Sequence, residues 1–238
     1  YGRSVHLGER ECSVQRNHQK LVEESPSPVV SAEQRAEIGS KVAAAAARVG
    51  YTNAGTVEFL RDEDGSLYFM EMNTRLQVEH PVTEMVTGVD IVAEQLRIAA
   101  NQPLSIGQQD VSFSGHAIEV RINAEDPDAG FSPTPGEVSL FRPPETGPDL
   151  RIDTHVRQGY VVPPYYDSMI AKLICHGPDR RAAIERVKEA LSGFEIEGVK
   201  TTIPFHLRVL EDERFLRGDY DTRLVGWMLA EQGGEANG

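Results

Sequence analysis

The sequence lacks the features by which several classes of protein are recognised directly. It has two cysteines in 238 residues, Cys12 and Cys175, which lie far apart without a CxxC or histidine-rich neighbourhood. A zinc site or a disulfide framework is therefore not indicated, and we expect two reduced, buried thiols. No apolar run approaches the ~20 residues that span a bilayer, and no signal peptide precedes Tyr1. These absences favour a cytoplasmic protein without a membrane segment.

Basic residues are also scarce. The chain has 24 Lys and Arg against 37 Asp and Glu, a formal net charge of −13. A general nucleic-acid binder would show a basic footprint, and a protein drawn to anionic lipid would show a basic surface. We therefore expect neither nucleic acid nor a membrane as partner. An anionic small substrate stays open, because a few Lys and Arg can act locally in an acidic protein.

The most informative stretch runs from Tyr68 to His80. With a period of two, the even positions are mostly apolar, and the odd positions carry a polar set: Glu71, Asn73, Arg75, Gln77 and Glu79. Asn is a poor strand former, and this order of acid, amide and guanidinium is unusual for a merely solvated face. Arg75 offers a fork for a planar oxyanion, and Glu79 can exchange a proton. The pattern supports a metal- and anion-binding site and a solvated polar face about equally.

The acids and the amide of this stretch suit a magnesium site. Glu71 and Asn73 are hard oxygen ligands of the kind that Mg²⁺ accepts while it keeps waters and substrate phosphates. Glu58 lies on the preceding predicted strand, across the turn Asp62–Gly65. A hairpin would place Glu58 beside Glu71, where two carboxylates repel unless a cation or a proton lies between them.

Four blocks, spread over nearly the whole chain, carry a resemblance to a known family. The first is Glu71-Met-Asn-Thr-Arg-Leu-Gln-Val-Glu-His80, continued to Glu84; the others are Glu9–Lys20, Gly115–Asp126 and Pro163–Lys172. Together, and in their order along the chain, they resemble biotin carboxylase, the ATP-grasp enzyme or domain of biotin-dependent carboxylases. Asn17 departs from the family pattern, in which an arginine is expected at this position.

The resemblance implies an α+β fold. It predicts the second half of an ATP-grasp domain, an antiparallel sheet with flanking helices, over 1–106, then the β-rich and helical biotin carboxylase C-terminal domain over 107–231, and a flexible tail over 232–238. The sequence has no initiator Met, and it opens in the middle of a predicted strand, Arg3–Gly8. We therefore expect the C-terminal part of a longer protein, without the N-terminal nucleotide-fold domain and the glycine-rich lid. By itself this part should bind ATP weakly and not turn over.

The resemblance also implies roles for individual residues. ATP is expected to contact Gln15, His18, Glu58, Leu60, Met70 and Glu71. The metal ion, Mg²⁺ or Mn²⁺, is expected at Glu58, Glu71 and Asn73. Bicarbonate and biotin are expected at Lys20, Arg75, Gln77, Val78 and Arg121, and the catalytic set is Lys20, Arg75, Glu79 and Arg121. A guanidinium at Arg121 suits the ureido oxygen of biotin, since negative charge develops there when the ring nitrogen loses its proton.

In the resembled family, ATP and bicarbonate form carboxyphosphate, and its carboxyl group is passed to biotin on a carrier protein. The expected partners are therefore a biotin carboxyl carrier protein and a carboxyltransferase, as in acetyl-CoA carboxylase of fatty acid biosynthesis, with a homodimer implied by family. Two alternatives stay open. One is another ATP-grasp ligase, such as a carbamoyl-phosphate synthetase half, which shares the Glu-x-Asn arrangement; the other is a catalytically silent assembly module. The run Arg75–His80 and Arg121 favour the carboxylase.

The scaffold is predicted from local patterns. A helix from Ala32 to Val49 has a capping box at Ser31 and Gln34 and stops at Gly50. Its apolar stripe is expected to face a core: Ile38, Val42, Ala45, Ala46 and Val49. Further helices are predicted around Glu84, at 89–100, 180–191, 202–210 and 223–230, and further strands at 116–122, 137–142, 150–155 and 168–175. Glu9–Lys20 and 126–136 read as loops.

Overall fold

The computed structural model describes residues 2–235. In chain order the strands and helices are β1 (Glu11–Arg16), β2 (Gln19–Ser25), α1 (Ala32–Arg48), β3 (Thr56–Arg61), β4 (Leu67–Asn73), α2 (His80–Thr87), α3 (Ile91–Ala99), β5 (His116–Asn123), β6 (Glu125–Asp126), β7 (Ser132–Pro133), β8 (Gly136–Glu137), β9 (Leu140–Arg142), β10 (Leu150–Thr154), β11 (Val161–Val162), β12 (Met169–Gly177), α4 (Arg180–Ser192), β13 (Glu195–Glu197), α5 (Ile203–Val209), α6 (Glu213–Arg217) and α7 (Leu224–Glu235). The mixed, largely antiparallel α+β class is as expected.

The chain divides into two compact units. Unit 1 contains the residues up to Glu9 together with Val30–Ser114, and unit 2 contains Arg10–Val29 together with the residues from Gly115 onward. The domain boundary near 106/107 stays a prediction, and the spatial grouping differs from it only at Arg10–Val29. These residues group with the second unit because β2 hydrogen-bonds along β5.

Helix α1 in unit 1 begins and ends as its sequence predicts. The Ser31 side chain accepts a hydrogen bond from the main-chain N–H of Gln34 (3.2 Å), and Gly50 follows the helix at a positive φ of 70°. The expected buried stripe is wrong, since no residue of α1 is buried. Three of its five members are half-buried and two are exposed: Ile38, Val42 and Ala46, then Ala45 and Val49.

Unit 2 is built on a five-stranded antiparallel sheet in the order β1-β2-β5-β12-β10. The register places Val120 between Val22 on one side and Leu173 on the other, so one face of the central strands is apolar. Helix α4 contributes five buried residues: Ala183, Ile184, Val187, Ala190 and Leu191. These residues belong to one core with the apolar face of the sheet. Burial of each large aliphatic side chain contributes roughly 1.5–3 kcal/mol, so this core dominates the stability of the unit.

Strands β1 and β2 correct the sequence prediction most clearly. The sequence predicts a polar loop through Lys20, whereas the chain forms a hairpin whose second strand is buried from Leu21 to Ser25. Two adjacent acids of this strand, Glu23 and Glu24, are 0 % and 1 % exposed. Acidic residues are rarely buried unless they are paired. The loop prediction was wrong because the local sequence does not show which residues pair with these two acids.

Glu24 is paired by three groups that lie far away in the sequence. Its carboxylate accepts hydrogen bonds from Arg180 Nε (2.7 Å) and Tyr220 OH (2.5 Å), and it lies 2.6 Å from His116 Nε2. Burial alone would raise the pKa of Glu24, but the hydrogen bonds from His116 and Arg180 outweigh it and hold the pKa below its ordinary value. The partners are 92 to 196 positions away in the sequence. The local sequence pattern therefore could not predict that β2 is a buried strand.

The structure also tests several smaller predictions from the sequence. Arg3–Gly8 is not a strand. Helix α7 extends to Glu235, so residues 232–235 of the expected flexible tail are helical, and its remaining residues, 236–238, lie outside the described part of the chain. Cys175 is buried as expected, and burial raises its pKa to about 12, whereas Cys12 is half-buried rather than buried. Within residues 2–235, none of the helices combines the length and the apolar character needed to cross a bilayer.

His206 on α5 predicts a pH-dependent stability. Its side chain is 0 % exposed, and burial lowers its pKa from 6.5 to about 4. Below pH 6.5 the unfolded chain therefore binds a proton that the folded chain does not bind, and stability falls as the pH falls from 6.5 towards 4. We expect His206→Gln to remove on the order of 2 kcal/mol of the loss in unfolding free energy between pH 7 and pH 5. Urea unfolding at both pH values measures this, and equal losses in the two proteins would contradict it.

Candidate functional site

Strands β3 and β4 form the predicted hairpin in unit 1. The turn closes with a hydrogen bond from Gly65 N to Asp62 O (2.9 Å), and Gly65 adopts a φ of 87°, which favours glycine. The register sets Glu58 directly opposite Glu71, with a bulge immediately after Glu58. The prediction that the hairpin brings these two acids side by side is therefore confirmed.

Two amide side chains converge on the paired acids. Asn73 Nδ2 donates to Glu58 Oε1 (3.1 Å) and to Glu71 Oε1 (2.9 Å), and Gln77 Nε2 donates to Glu58 Oε1 (2.7 Å). Because one nitrogen bonds both carboxylates, their oxygens lie within about 6 Å of each other, close enough to repel when both are charged. The structure thus brings together the three predicted metal ligands, and Gln77 joins them.

The residues of this cluster fit a magnesium or manganese ion. Over the described residues, no group of three or more His, Cys, Asp and Glu side chains is arranged to hold a metal. This cluster has two acids and one amide instead. Glu58, Glu71 and Asn73 would supply two carboxylates and an amide and would leave other positions for water and phosphate, which is the coordination that Mg²⁺ prefers. For Asn73 to act as a ligand, its amide oxygen must take the place that its NH₂ group now occupies.

The segment after β4 is not a strand, so this part of the prediction is corrected. Strand β4 ends at Asn73, and residues 74–79 are irregular and lead into α2. Gln77 and Glu79 are 6 % and 2 % exposed, and Glu79 occupies the N-cap position of α2, where the helix dipole favours a negative charge. Arg75 is exposed, and its Nη1 donates to the carbonyl oxygen of Leu76 (3.2 Å). The structure therefore buries the predicted base and leaves the predicted anion-binding arginine at the surface.

Leu60 and Met70, the predicted ATP contacts, lie on the same hairpin. They are 57 % and 48 % exposed, and their neighbours Tyr68 and Phe69 are also exposed. Leu60 lies directly opposite Tyr68 in the register. The hairpin thus presents an apolar surface of the kind on which an aromatic base can pack.

The remaining predicted residues lie in unit 2. Gln15 and Lys20 are opposite each other on β1 and β2, and the two-residue turn between these strands is Asn17-His18, with φ of 50° and 64°. A turn with both central residues at positive φ favours Asn, which accounts for Asn17 where the family pattern has arginine. The predicted polar loop is therefore a tight hairpin that fixes Gln15, His18 and Lys20 relative to one another.

Arg121 on β5 is half-buried and has an ionic partner that the sequence did not reveal. Its Nε donates to Glu23 Oε1 (2.6 Å), and its Nη2 lies 2.5 Å from the same oxygen. Lys172, across the strand pair from Arg121, is 8 % exposed and lies 3.3 Å from Asp153. Glu23 was missed because the sequence patterns predicted no strand after Lys20.

Comparisons with known proteins identify the two halves of the chain. Residues 1–107 match the family model of the carbamoyl-phosphate synthase L chain ATP-binding domain, and residues 119–226 match the biotin carboxylase C-terminal domain. Fold and site thus define an ATP-binding domain joined to a biotin carboxylase C-terminal domain.

A curated relative agrees with both matches. Biotin carboxylase 1 of Bacillus subtilis is 55 % identical over 94 % of this chain and 50 % of its own length. The chain belongs to the biotin carboxylase family, and it spans about half the length of the curated relatives it matches.

Two solved structures show the same fold. The biotin carboxylase domain dimer of the 2-oxoglutarate carboxylase of Hydrogenobacter thermophilus, in complex with MgADP, ADP and bicarbonate, aligns with a TM-score of 0.92 at 52 % identity, covering 94 % of this chain and 49 % of that one. The biotin carboxylase component of a pyruvate carboxylase aligns with a TM-score of 0.91 at 51 % identity, again over 94 % of this chain and 49 % of that one.

The cluster at Glu58 predicts divalent cation binding by this chain itself. Glu71→Gln removes one of the two facing charges, so we expect the Kd for Mn²⁺ to rise at least tenfold, equivalent to about 1.4 kcal/mol. Titration followed by the electron paramagnetic resonance signal of free Mn²⁺ measures it. Glu63→Gln is the matched control, because Glu63 is an exposed acid in the turn of the same hairpin. If both variants bind Mn²⁺ as the parent does, the cluster is not the metal site.

Proposed function

We propose that this chain provides the metal-binding and biotin-binding parts of a biotin carboxylase, a ligase that carboxylates biotin with bicarbonate at the expense of ATP. The observation that carries the proposal is the convergence of Glu58, Glu71 and Asn73 on one end of a hairpin. The structure of the Hydrogenobacter relative contains MgADP and bicarbonate, which supports the proposal that the same small molecules bind here.

The first half-reaction is a phosphoryl transfer from ATP to bicarbonate. Glu58, Glu71 and Asn73 hold Mg²⁺ or Mn²⁺, which when bound neutralises phosphate charge as the γ-phosphoryl group moves. Leu60 and Met70 of the hairpin in unit 1 provide the apolar surface for the base. These side chains contribute binding and orientation.

Within unit 1, bicarbonate is held by Arg75, Gln77 and the main chain at Val78. Glu79 removes the bicarbonate proton, and the resulting oxyanion attacks the γ-phosphorus while ADP leaves. Glu79 occupies the N-cap position of α2, directly after Gln77 and Val78 in the chain. The product is carboxyphosphate, which breaks down to CO₂ and phosphate.

The second half-reaction takes place on biotin. The phosphate released from carboxyphosphate accepts the N1′ proton, and the nitrogen then attacks CO₂ to form the C–N bond. Arg121 stabilises the negative charge on the ureido oxygen during this step. Its guanidinium stays protonated at any working pH, so it stabilises charge and does not transfer the proton.

The partners follow from the reaction. Biotin would arrive on a carrier protein, a carboxyltransferase would take the carboxyl group onward in the cytoplasm, and the chain would act within a dimer, as in the Hydrogenobacter structure. The two solved structures, at 51 % and 52 % identity, come from different carboxylases, one acting on pyruvate and one on 2-oxoglutarate by their names. The final acceptor, whether acetyl-CoA in fatty acid synthesis or a keto acid, is therefore chosen by the transferase.

A second candidate is a carbamoyl-phosphate synthase type of ligase. The description of the ATP-binding family model over residues 1–107 favours it. Such an enzyme shares the metal site and the phosphorylation of bicarbonate but has no use for biotin. Dependence on free biotin therefore separates the two.

The test of the proposed function uses a chimera. The half of Bacillus subtilis biotin carboxylase 1 that this chain does not match is fused ahead of the chain, and ADP release is measured with bicarbonate, with and without biotin. We expect turnover that biotin stimulates. Arg121→Ala should lower the biotin-dependent rate at least 100-fold and spare the basal rate, because it acts only on the second half-reaction, whereas Glu71→Gln should lower both.

Two outcomes would count against the carboxylase. A chimera that cleaves ATP with bicarbonate but ignores biotin would favour the carbamoyl-phosphate synthase type. A folded chimera without any ATP cleavage, together with no Mn²⁺ binding by the chain, would favour a silent assembly module. The chain without the added half is expected to show no turnover, and turnover at the rate of the chimera would contradict that expectation.

A further inference from the structure

We infer that Glu23, Thr202 and His206 are positioning residues for Arg121, with Glu23 orienting its guanidinium and the other two anchoring its main chain. The use of Arg121 in carboxylation rests on the proposed function. Its anchoring rests on contacts within unit 2 alone.

Glu23 fixes one edge of the guanidinium. Arg121 Nε and Nη2 lie 2.6 Å and 2.5 Å from a single oxygen, Glu23 Oε1, and Glu23 is 0 % exposed. Glu23 lies opposite Glu119 in the register, two residues along β5 from Arg121 and therefore on the same face of the sheet. A two-point contact with an immobile buried acid sets both the position and the plane of the guanidinium, because the planar fork of arginine has no freedom within itself.

The main chain of Arg121 is anchored by the start of α5. Its carbonyl oxygen accepts a hydrogen bond from Thr202 Oγ1 (3.0 Å) and lies 2.6 Å from His206 Nε2. Two neighbouring bonds complete the arrangement: Asn123 N donates to Thr202 Oγ1 (3.0 Å), and Thr202 N donates to Asn123 O (3.1 Å). The paired register of β2 and β5 reaches Val120 and not Arg121. Thr202 and His206 thus continue the support of β5 where β2 stops.

His206 is suited to this role in its neutral form. A carbonyl oxygen only accepts hydrogen bonds, so His206 Nε2 must carry the hydrogen. Full burial keeps the imidazole uncharged at neutral pH and holds its pKa at about 4. Thr202 is also 0 % exposed. Neither residue lies in the set that the sequence analysis assigned to substrates.

The consequence is a preorganised oxyanion partner. Donors aimed in advance at developing charge need no reorganisation during the reaction, and a displacement of about 1 Å can lower a rate 100-fold. Glu23, Thr202 and His206 therefore act on the second half-reaction through Arg121, without contacting biotin.

The geometric arm of the test uses this chain alone. The Arg121 Nε–Hε signal is recorded by ¹⁵N NMR and assigned as the one that Arg121→Lys removes. We expect Glu23→Gln to shift it upfield and to accelerate its exchange with water at least tenfold. Glu24→Gln is the matched control, since Glu24 is the next buried acid on β2 and pairs with Arg180 instead. An Arg121 signal unchanged by Glu23→Gln would overturn the role of Glu23.

The kinetic arm uses the chimera. Thr202→Val keeps the shape and loses the donor, whereas Thr202→Ser keeps the donor. We expect Glu23→Gln and Thr202→Val to lower kcat for biotin carboxylation at least tenfold and to leave basal ATP cleavage within twofold, with Thr202→Ser close to the parent. His206→Gln, whose amide can still donate, should lose less than His206→Leu.

The two arms separate the possible failures. Equal losses of carboxylation and basal cleavage would mean a structural role only and would overturn the inference. A parent chimera without biotin-dependent turnover would instead refute the proposed function, and the NMR arm would still decide whether Glu23 orients Arg121.

Discussion

Two compensated carboxylates on adjacent residues of β2 are the interaction on which unit 2 depends. Side chains alternate across a strand, so Glu23 and Glu24 point to opposite faces of the sheet. Glu24 joins β2 to His116 on β5, to Arg180 on α4 and to Tyr220, while Glu23 takes the guanidinium of Arg121. Buried ions persist only when partners replace their hydration. Strand β2 therefore contributes a structural contact on one face of the sheet and the ionic partner of Arg121 on the other.

The acid pair in unit 1 is compensated differently. The contacts that join Glu58 to Glu71 run through the neutral amides of Asn73 and Gln77. Neutral donors satisfy carboxylate oxygens without cancelling their charge, so a divalent cation bound between the two acids would relieve their repulsion. An acid paired with a guanidinium gains much less from a metal ion. The type of compensation thus distinguishes a structural acid from a candidate ligand.

The sequence predicted what is local and missed what is distant. The β3–β4 hairpin follows from two strand patterns and a turn, and α1 follows from Ser31 and Gly50. Strand β2 was missed because its acids are neutralised by residues of other elements. Without that strand, Glu23 could not be predicted as the partner of Arg121. The alternation after Asn73 was misread as strand, although it is an irregular segment that leads into α2. Periodicity alone does not distinguish a strand from an irregular chain with alternating residue types.

The apolar surface of the hairpin links folding to ligand binding. Three large residues that share one face of the hairpin are 48 % to 57 % exposed: Leu60, Tyr68 and Met70. A two-stranded hairpin is marginal by itself, and covering such a surface contributes roughly 25 cal/mol per Å². A nucleotide base that packs on Leu60 and Met70 would therefore stabilise the hairpin, and by linkage the folded hairpin would favour the nucleotide. Since Glu58 and Glu71 lie on the same two strands, a nucleotide that covers this surface would also help to order the two acids for a metal ion.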